Sequence, residues 1–380
     1  MIYLDNAATS FPKPESVYQT LDQFARQSLA NPGRAGHRMA LAAERVLDDG
    51  RHLLNQLLGG QGPERIIFTL NCTDALNIAI KGTLQPGDHV ITSDLEHNSI
   101  SRPLVALERA GVITLTRIRS DGGGTYSPDD VKAALTPKTR LIALTHASNV
   151  LGTVQPVAQV AAIARGHDAL FLVDAAQSVG VLPIDVRAMQ IDLLAAPGHK
   201  GLMGPTGTGF LYVGPRARLR AWREGGTGGD SSSPTQPAEL PFFLEGGTPN
   251  VLGIAGLNAG IRWVQERGLE AIHEHEMDLI DRLAQRLETL PGVRLLGHRD
   301  RVRKVGALSF TLEGLAALDV AGILDSTFDI AVRPGQHCAP YIHRRQETFP
   351  AGAVRASPGA FSTAADVDRL ADAITEIVGG

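Results

Sequence analysis

Between residues 61 and 213 short apolar runs alternate with helical segments, and few folds accommodate that rhythm. The runs at 66–68, 89–92, 112–118, 141–144, 170–173, 192–196 and 210–213 predict strands. Helical patterns fill 73–82, 99–110, 128–135 and 157–165. This β/α alternation predicts a seven-stranded, mostly parallel sheet with helices on both faces, an α/β fold. Such sheets gather ligands at the C-terminal ends of their strands. Asp174, Lys200 and the turn Asn71-Cys72-Thr73-Asp74 all fall at those ends.

Beyond residues 225–241, whose Gly, Ser and Pro content predicts a mobile loop, the rhythm changes. Helical stretches over 253–290, strands at 307–311 and 330–332, and helices at 318–326 and 364–378 predict a smaller α+β domain. The expected division is a large domain over 15–250 and a small one over 251–380, with residues 1–14 packing near the latter. A net charge of −4 without a basic block argues against nucleic acid, whose phosphates call for clustered Lys and Arg. Two cysteines in 380 residues argue against a disulfide scaffold and for a reducing compartment. No apolar stretch approaches the ~20 residues of a membrane span, and residues 1–6 carry no signal core. A cytoplasmic protein is expected.

Lys200 stands in Gly198-His199-Lys200-Gly201, after the run at 192–196, and Asp174 closes the run at 170–173. A lysine and an aspartate at the ends of two buried strands suit pyridoxal 5'-phosphate. The amine forms a Schiff base, and the carboxylate keeps the pyridine nitrogen protonated so that the ring accepts electrons. Gly198 and Gly201 are expected to let the backbone approach a ligand. Gln177 falls where it can reach the ring's phenolic oxygen. Thr73 reads as a helix N-cap, and a helix N-terminus also binds phosphate. Cys72 beside it reads as a small packed residue. His97, in Glu96-His97-Asn98-Ser99, can stack on a ring and move protons. Cys338 lies in a polar loop where His337, Arg333 and the Arg344-Arg345 pair can lower a thiol pKa. Arg355 suits a bidentate grip on a substrate carboxylate. His273 and His275 lack the spacing that puts two histidines on one helix face, and Cys338 with His337 and His343 lacks a fourth ligand, so no metal site is expected.

Taken in order, these pieces resemble the class V aminotransferase-fold enzymes, and within them the cysteine desulfurase and selenocysteine lyase group. The likeness begins at Tyr3-Leu4-Asp5-Asn6-Ala7-Ala8 and Asn31-Pro32-Gly33-Arg34-Ala35-Gly36-His37. It continues through Glu96-His97-Asn98, His146-Ala147-Ser148-Asn149-Val150-Leu151-Gly152 and Asp174-Ala175-Ala176-Gln177. It closes with Gly198-His199-Lys200, Gly246-Gly247-Thr248-Pro249-Asn250, Cys338 and Arg355. The resemblance implies a fold-type-I homodimer with its site at the subunit interface. It implies that Lys200 carries pyridoxal phosphate, Asp174 pairs with the ring nitrogen, His97 stacks on the ring and Gln177 bonds the phenolic oxygen. Thr73 and His199 would hold the phosphate, with Asp74 in the same cofactor-binding turn and Thr248 reaching the cofactor of the other subunit. Asn149 and Arg355 would hold the substrate carboxylate. The implied reaction converts L-cysteine to L-alanine and leaves a persulfide on Cys338 for a sulfur-acceptor protein. Selenocysteine lyase, aminotransferase and cystine β-lyase activities are the alternatives within the fold. Two positions depart from the family pattern. Pro197 stands where relatives often have a Ser or Thr donor, and Gln336 where they often have a first histidine.

Overall fold

All seven apolar runs join one sheet in the computed structural model, which describes residues 1–33, 36–227 and 232–379. Arg34 and Ala35 of the 31–37 motif, and residues 228–231 of the 225–241 loop, lie outside the described residues. In chain order the first elements are β1 (Ile2–Tyr3), α1 (Glu15–Gln27), α2 (Arg38–Leu57), β2 (Ile66–Thr69), α3 (Cys72–Thr83), β3 (Asp88–Ser93) and α4 (Asn98–Arg109). Next come β4 (Ile113–Ile118), α5 (Pro128–Ala133), β5 (Thr139–Thr145), α6 (Val157–Gly166), β6 (Leu170–Asp174), β7 (Leu193–Pro197) and β8 (Gly209–Val213). The remainder holds α7 (Val251–Arg267), α8 (Leu269–Leu287), β9 (Val293–Leu295), β10 (Leu308–Leu312), α9 (Ala317–Phe328), β11 (Ile330–Ala331), β12 (Arg333–Gly335), α10 (Pro340–Arg345), β13 (Ala353–Ala356) and α11 (Ala364–Gly379).

The large sheet runs β2-β8-β7-β6-β5-β3-β4, parallel except that β8 is antiparallel to both neighbours. Helices cover both faces, so its central strands are apolar throughout rather than alternating, and β6, β7 and β8 are buried end to end. Along β5, Ile142 and Leu144 enter one core while Leu141 and Ala143 enter the other, as the two-residue period of a strand requires. The small sheet, β12-β13-β10-β9, is antiparallel. Its core takes Leu283 and Leu287 from α8, Val320 and Leu324 from α9, and Leu370 and Ile374 from α11.

Two features differ from the sequence expectation, both within the stretch over 253–290. The helical stretch over 253–290 is two helices, broken at Gly268, whose φ of 84° suits glycine. The first of them, α7, packs against α1 and α2 and adds Leu257 and Ile261 to the large sheet's core, so the helix at the start of the second segment belongs physically to the first. At the chain's other end, β1 pairs in parallel with β11 of the second segment, and Asp5 bridges to Ser357.

Candidate active site

The C-terminal ends of β2, β3, β5, β6 and β7 open into a cavity of about 240 Å³. Its wall includes Cys72, Thr73, His97, Asn149, Asp174, Gln177, His199, Lys200, Cys338 and Arg355. Asp74 and Thr248 do not line it. Asp74 lines a separate surface pocket with Lys81 and Arg220, and its N–H donates to Asn71 Oδ1 at 2.9 Å. Thr248 lines a separate cavity of about 640 Å³ beside Arg51 and Glu245.

Asp174, the last residue of β6, is 3% exposed. Its Oδ1 accepts from Ala176 N at 3.0 Å and faces Cys72 Sγ at 3.7 Å. Burial raises its pKa; the Ala176 N–H, the Lys200 charge and the Cys72 thiol oppose that rise. Lys200 follows β7, and burial and the Arg355 charge push its pKa below 10.5 while Asp174 pulls it up. A lowered amine pKa favours the neutral nucleophile. The glycines around it sit in tight packing. A Cβ on Gly198 would meet Thr208 Oγ1 at 2.2 Å, and one on Gly201 would meet Val179 O at 2.4 Å. Close chain packing alone requires glycine at both positions.

The α3 cap also corrects the expectation. Asn71, not Thr73, is the N-cap, its side chain accepting from Asp74 N at 2.9 Å. Thr73 lies inside the first turn, and its hydroxyl pairs with Ser99 Oγ at 2.7 Å. Ser99 in turn bonds the His97 ring: its N–H donates to Nδ1 at 3.1 Å, and its hydroxyl lies 2.9 Å from the same atom. An Nδ1 that accepts a backbone N–H leaves the ring proton on Nε2. Burial, then the charges of Lys200 and Arg102, lower the His97 pKa to about 4, so the ring is neutral at pH 7. Ser99 carries no signal of its role beyond standing in the His97 motif, whereas Asn71 is a good cap by residue type.

On the other wall, Arg355 of β13 is 3% exposed. It donates to Asn149 O at 2.8 Å and to Asp5 Oδ1 at 2.7 Å, while its Nε is buried without a partner among the described residues. The sequence assigns Asp5 no function; its pairing spans the whole chain, which no local pattern reports. Asn149 Nδ2 donates to His337 O at 2.6 Å. Cys338 is exposed. Its carbonyl accepts from Asn98 N at 2.7 Å, at the start of α4, and the turn closes through Ala339 N to Gln336 O at 2.8 Å. His337 and Cys338 hold φ of 48° and 58°, a left-handed pair without glycine. The His337 ring bonds Arg333 O through Nε2, at 3.0 Å. The two histidines considered for a metal go to different carbonyls, His273 to Lys304 O and His275 to Ser362 O.

The residues present fit pyridoxal phosphate on four counts. Lys200 offers an amine in the cavity wall and Asp174 a carboxylate whose Oδ2 makes no hydrogen bond among the described residues. The N–H groups of Cys72 and Thr73, at the positive end of α3, likewise have no protein partner there. The buried His199 Nδ1 is also unpartnered, a polar atom that a phosphate oxygen would satisfy. Pro197 offers no donor, so the donors on this side of the cavity are the α3 N–H groups and His199.

The model of the family described as aminotransferase class-V matches residues 2–370. The chain is 36% identical over 384 residues to a probable cysteine desulfurase of Methanothermobacter thermautotrophicus, covering 100% of this chain and 95% of that one. It is 33% identical over 386 residues to a cysteine desulfurase of Escherichia coli O157:H7, covering 99% and 93%. The apo structure of a cysteine desulfurase from Thermococcus onnurineus superposes with a TM-score of 0.93 at 33% identity, covering 100% and 95%. The cysteine desulfurase CsdA (S-sulfonic acid) of Escherichia coli superposes with a TM-score of 0.89 at 29% identity, covering 100% and 94%.

Proposed function

Because this chain belongs to the class-V aminotransferase family, whose cysteine desulfurases it resembles from end to end, we propose that it is a pyridoxal phosphate-dependent cysteine desulfurase. The observation that carries the reading is Cys338, an exposed thiol on a pinned turn in the wall of the Lys200 cavity. A transaminase needs Lys200, Asp174 and Arg355 but no thiol there.

Bound between Asp174 and the α3 N-terminus, the cofactor supplies an electron sink for charge developing on the substrate Cα. The chain's own groups do the rest. Arg355, with its unpartnered Nε, and Asn149 take the substrate carboxylate and set the sulfur toward Cys338. His97, neutral and fixed by Ser99, would pack on the ring face, and Gln177, whose Nε2 donates to Ala7 O at 3.1 Å, would lie beside the phenolic oxygen. Lys200 Nζ removes the proton from Cα and holds it for return. The Cys338 thiolate then attacks the substrate sulfur. A sulfur–sulfur bond forms, the carbon–sulfur bond breaks, and its electron pair stays with the carbon fragment, which takes up a proton and leaves as alanine. The terminal sulfur stays on Cys338 as a persulfide. The exposure of that residue supports hand-over to an acceptor protein. That Thr248 lies outside this chain's own Lys200 cavity supports a homodimer in which it serves the other subunit. No helix of the described residues is long and apolar enough to cross a membrane.

The test is Cys338→Ser. Alanine formation from cysteine falls by about three orders of magnitude while the cofactor's visible absorption remains. Unchanged alanine production would refute the mechanism. Product analysis with cysteine, cystine and selenocysteine separates the remaining chemistries: pyruvate marks a β-lyase, an oxoacid a transaminase, and preference for the selenium substrate a selenocysteine lyase.

A further inference from the structure

The chain's second cysteine takes no part in sulfur chemistry in this reading, yet it lines the same cavity. It is the first residue of α3, so the helix fixes its backbone, and its sulfur reaches across to the end of β6. Two donors converge on one oxygen of Asp174: the Ala176 N–H at 3.0 Å and Cys72 Sγ at 3.7 Å, a length suited to the larger sulfur atom. The other oxygen receives no hydrogen bond from the described residues. A carboxylate only accepts, so the sulfur must be the donor and must keep its proton. It does: burial, then the Asp174 charge, push the Cys72 pKa well above the usual thiol value.

We propose that Cys72 is a positioning residue for Asp174: its S–H holds Oδ1 so that Oδ2 faces the cofactor's ring nitrogen, and it keeps the shared proton on that nitrogen. The inference rests on the proposed function and deepens it. A hydrogen bond to a carboxylate favours its charged form. Without it Asp174 becomes more basic, the shared proton moves from nitrogen toward oxygen, and the ring withdraws electrons less strongly. The imine at Lys200 then holds its own proton to higher pH.

The experiment is a pH titration of the visible absorption of the holoenzyme. In Cys72→Ala the midpoint rises by about half a unit, the size of one weak hydrogen bond. In Cys72→Ser, whose hydroxyl is also a donor, it returns to the wild-type value. An unshifted Ala variant overturns the proposal, and so does a Ser variant shifted as far as Ala. A second measurement needs no change at position 72. Cys338→Ser leaves Cys72 as the single cysteine, since the chain has two. The infrared S–H stretch of that holoenzyme is expected at the lowered frequency of a bonded thiol; a free-thiol frequency overturns the proposal. Wild-type protein that binds no cofactor would instead overturn the functional reading beneath it.

Discussion

Asp174 is 3% exposed at the end of a strand buried along its whole length, whereas Cys338, in the wall of the same cavity, is exposed on a turn with φ of 58°. The difference follows from what each must do. Groups that hold a ring have to stand still, and the ends of packed parallel strands provide that. Asp174, the α3 N-terminus, His97 and Lys200 all hang from one sheet whose register is locked by a core on each face. In the proposed reaction the thiol meets substrate inside the cavity and an acceptor outside it, and it sits on a short turn from the smaller sheet. Two backbone hydrogen bonds, Asn98 N to Cys338 O and Ala339 N to Gln336 O, hold that turn. Its consecutive left-handed residues cost on the order of 1–2 kcal/mol each. Their persistence marks a place where the surrounding structure fixes the backbone against its own preference.

The sharpest way to break this contrast is Lys200→Ala. Loss of the sheet-side amine removes both activity and borohydride-trappable cofactor, whereas Cys338→Ser removes activity alone. Peptide mapping after reduction decides it, and label recovered from any other lysine contradicts the assignment. Arg355→Lys comes next in size. A point charge replaces a planar fork bonded to Asn149 and Asp5, so KM for cysteine is expected to rise ~10–100-fold with a smaller change in kcat. An unchanged KM would show that the carboxylate binds elsewhere.

The smallest effect concerns Lys304, 1% exposed, whose Nζ donates to Leu151 O at 2.6 Å in the loop that presents Asn149. Burial, then the Arg299 charge, bring its pKa from 10.5 to about 7. The folded value lies below the unfolded one, so between pH 7 and 10.5 the unfolded chain binds more protons. This contribution to stability is therefore greatest above pH 10.5 and is lost as pH falls through about 7. Thermal midpoints of the wild type should rise more steeply from pH 7 to 9 than those of Lys304→Met. Parallel curves would show that the lysine titrates normally.

Strands such as Leu170–Asp174 are legible because burial on both faces demands an unbroken apolar run, and Lys200 and Asp174 are legible because those runs end there. Helix α1 follows a different rule: Val17, Leu21 and Phe24 recur at helical spacing, although only Val17 is fully buried, so a periodic stripe rather than an unbroken apolar run marks it. In helix α2 buried Gly50 and Arg51 interrupt the apolar stripe. At the α3 start, Asn71 and Thr73 are both good caps by type, and only the fold, by setting Ser99 against Thr73, decides between them. The role of Asp5 is invisible for a deeper reason. It depends on Arg355 and Ser357, which no window along the chain brings near it.

That pairing has a consequence for biogenesis. Residues 2–10 are fastened at one end to the backbone at 329, 331 and 357, and at the other to His199 O through Thr9 and Ser10. On a ribosome those first residues emerge without their partners and must wait until position 357 has been translated. The catalytic pocket therefore closes last, after the main sheet has been available for folding. Contacts over so long a separation form slowly, so this clasp, unlike the helices beside the sheet, is expected to be a late step of folding.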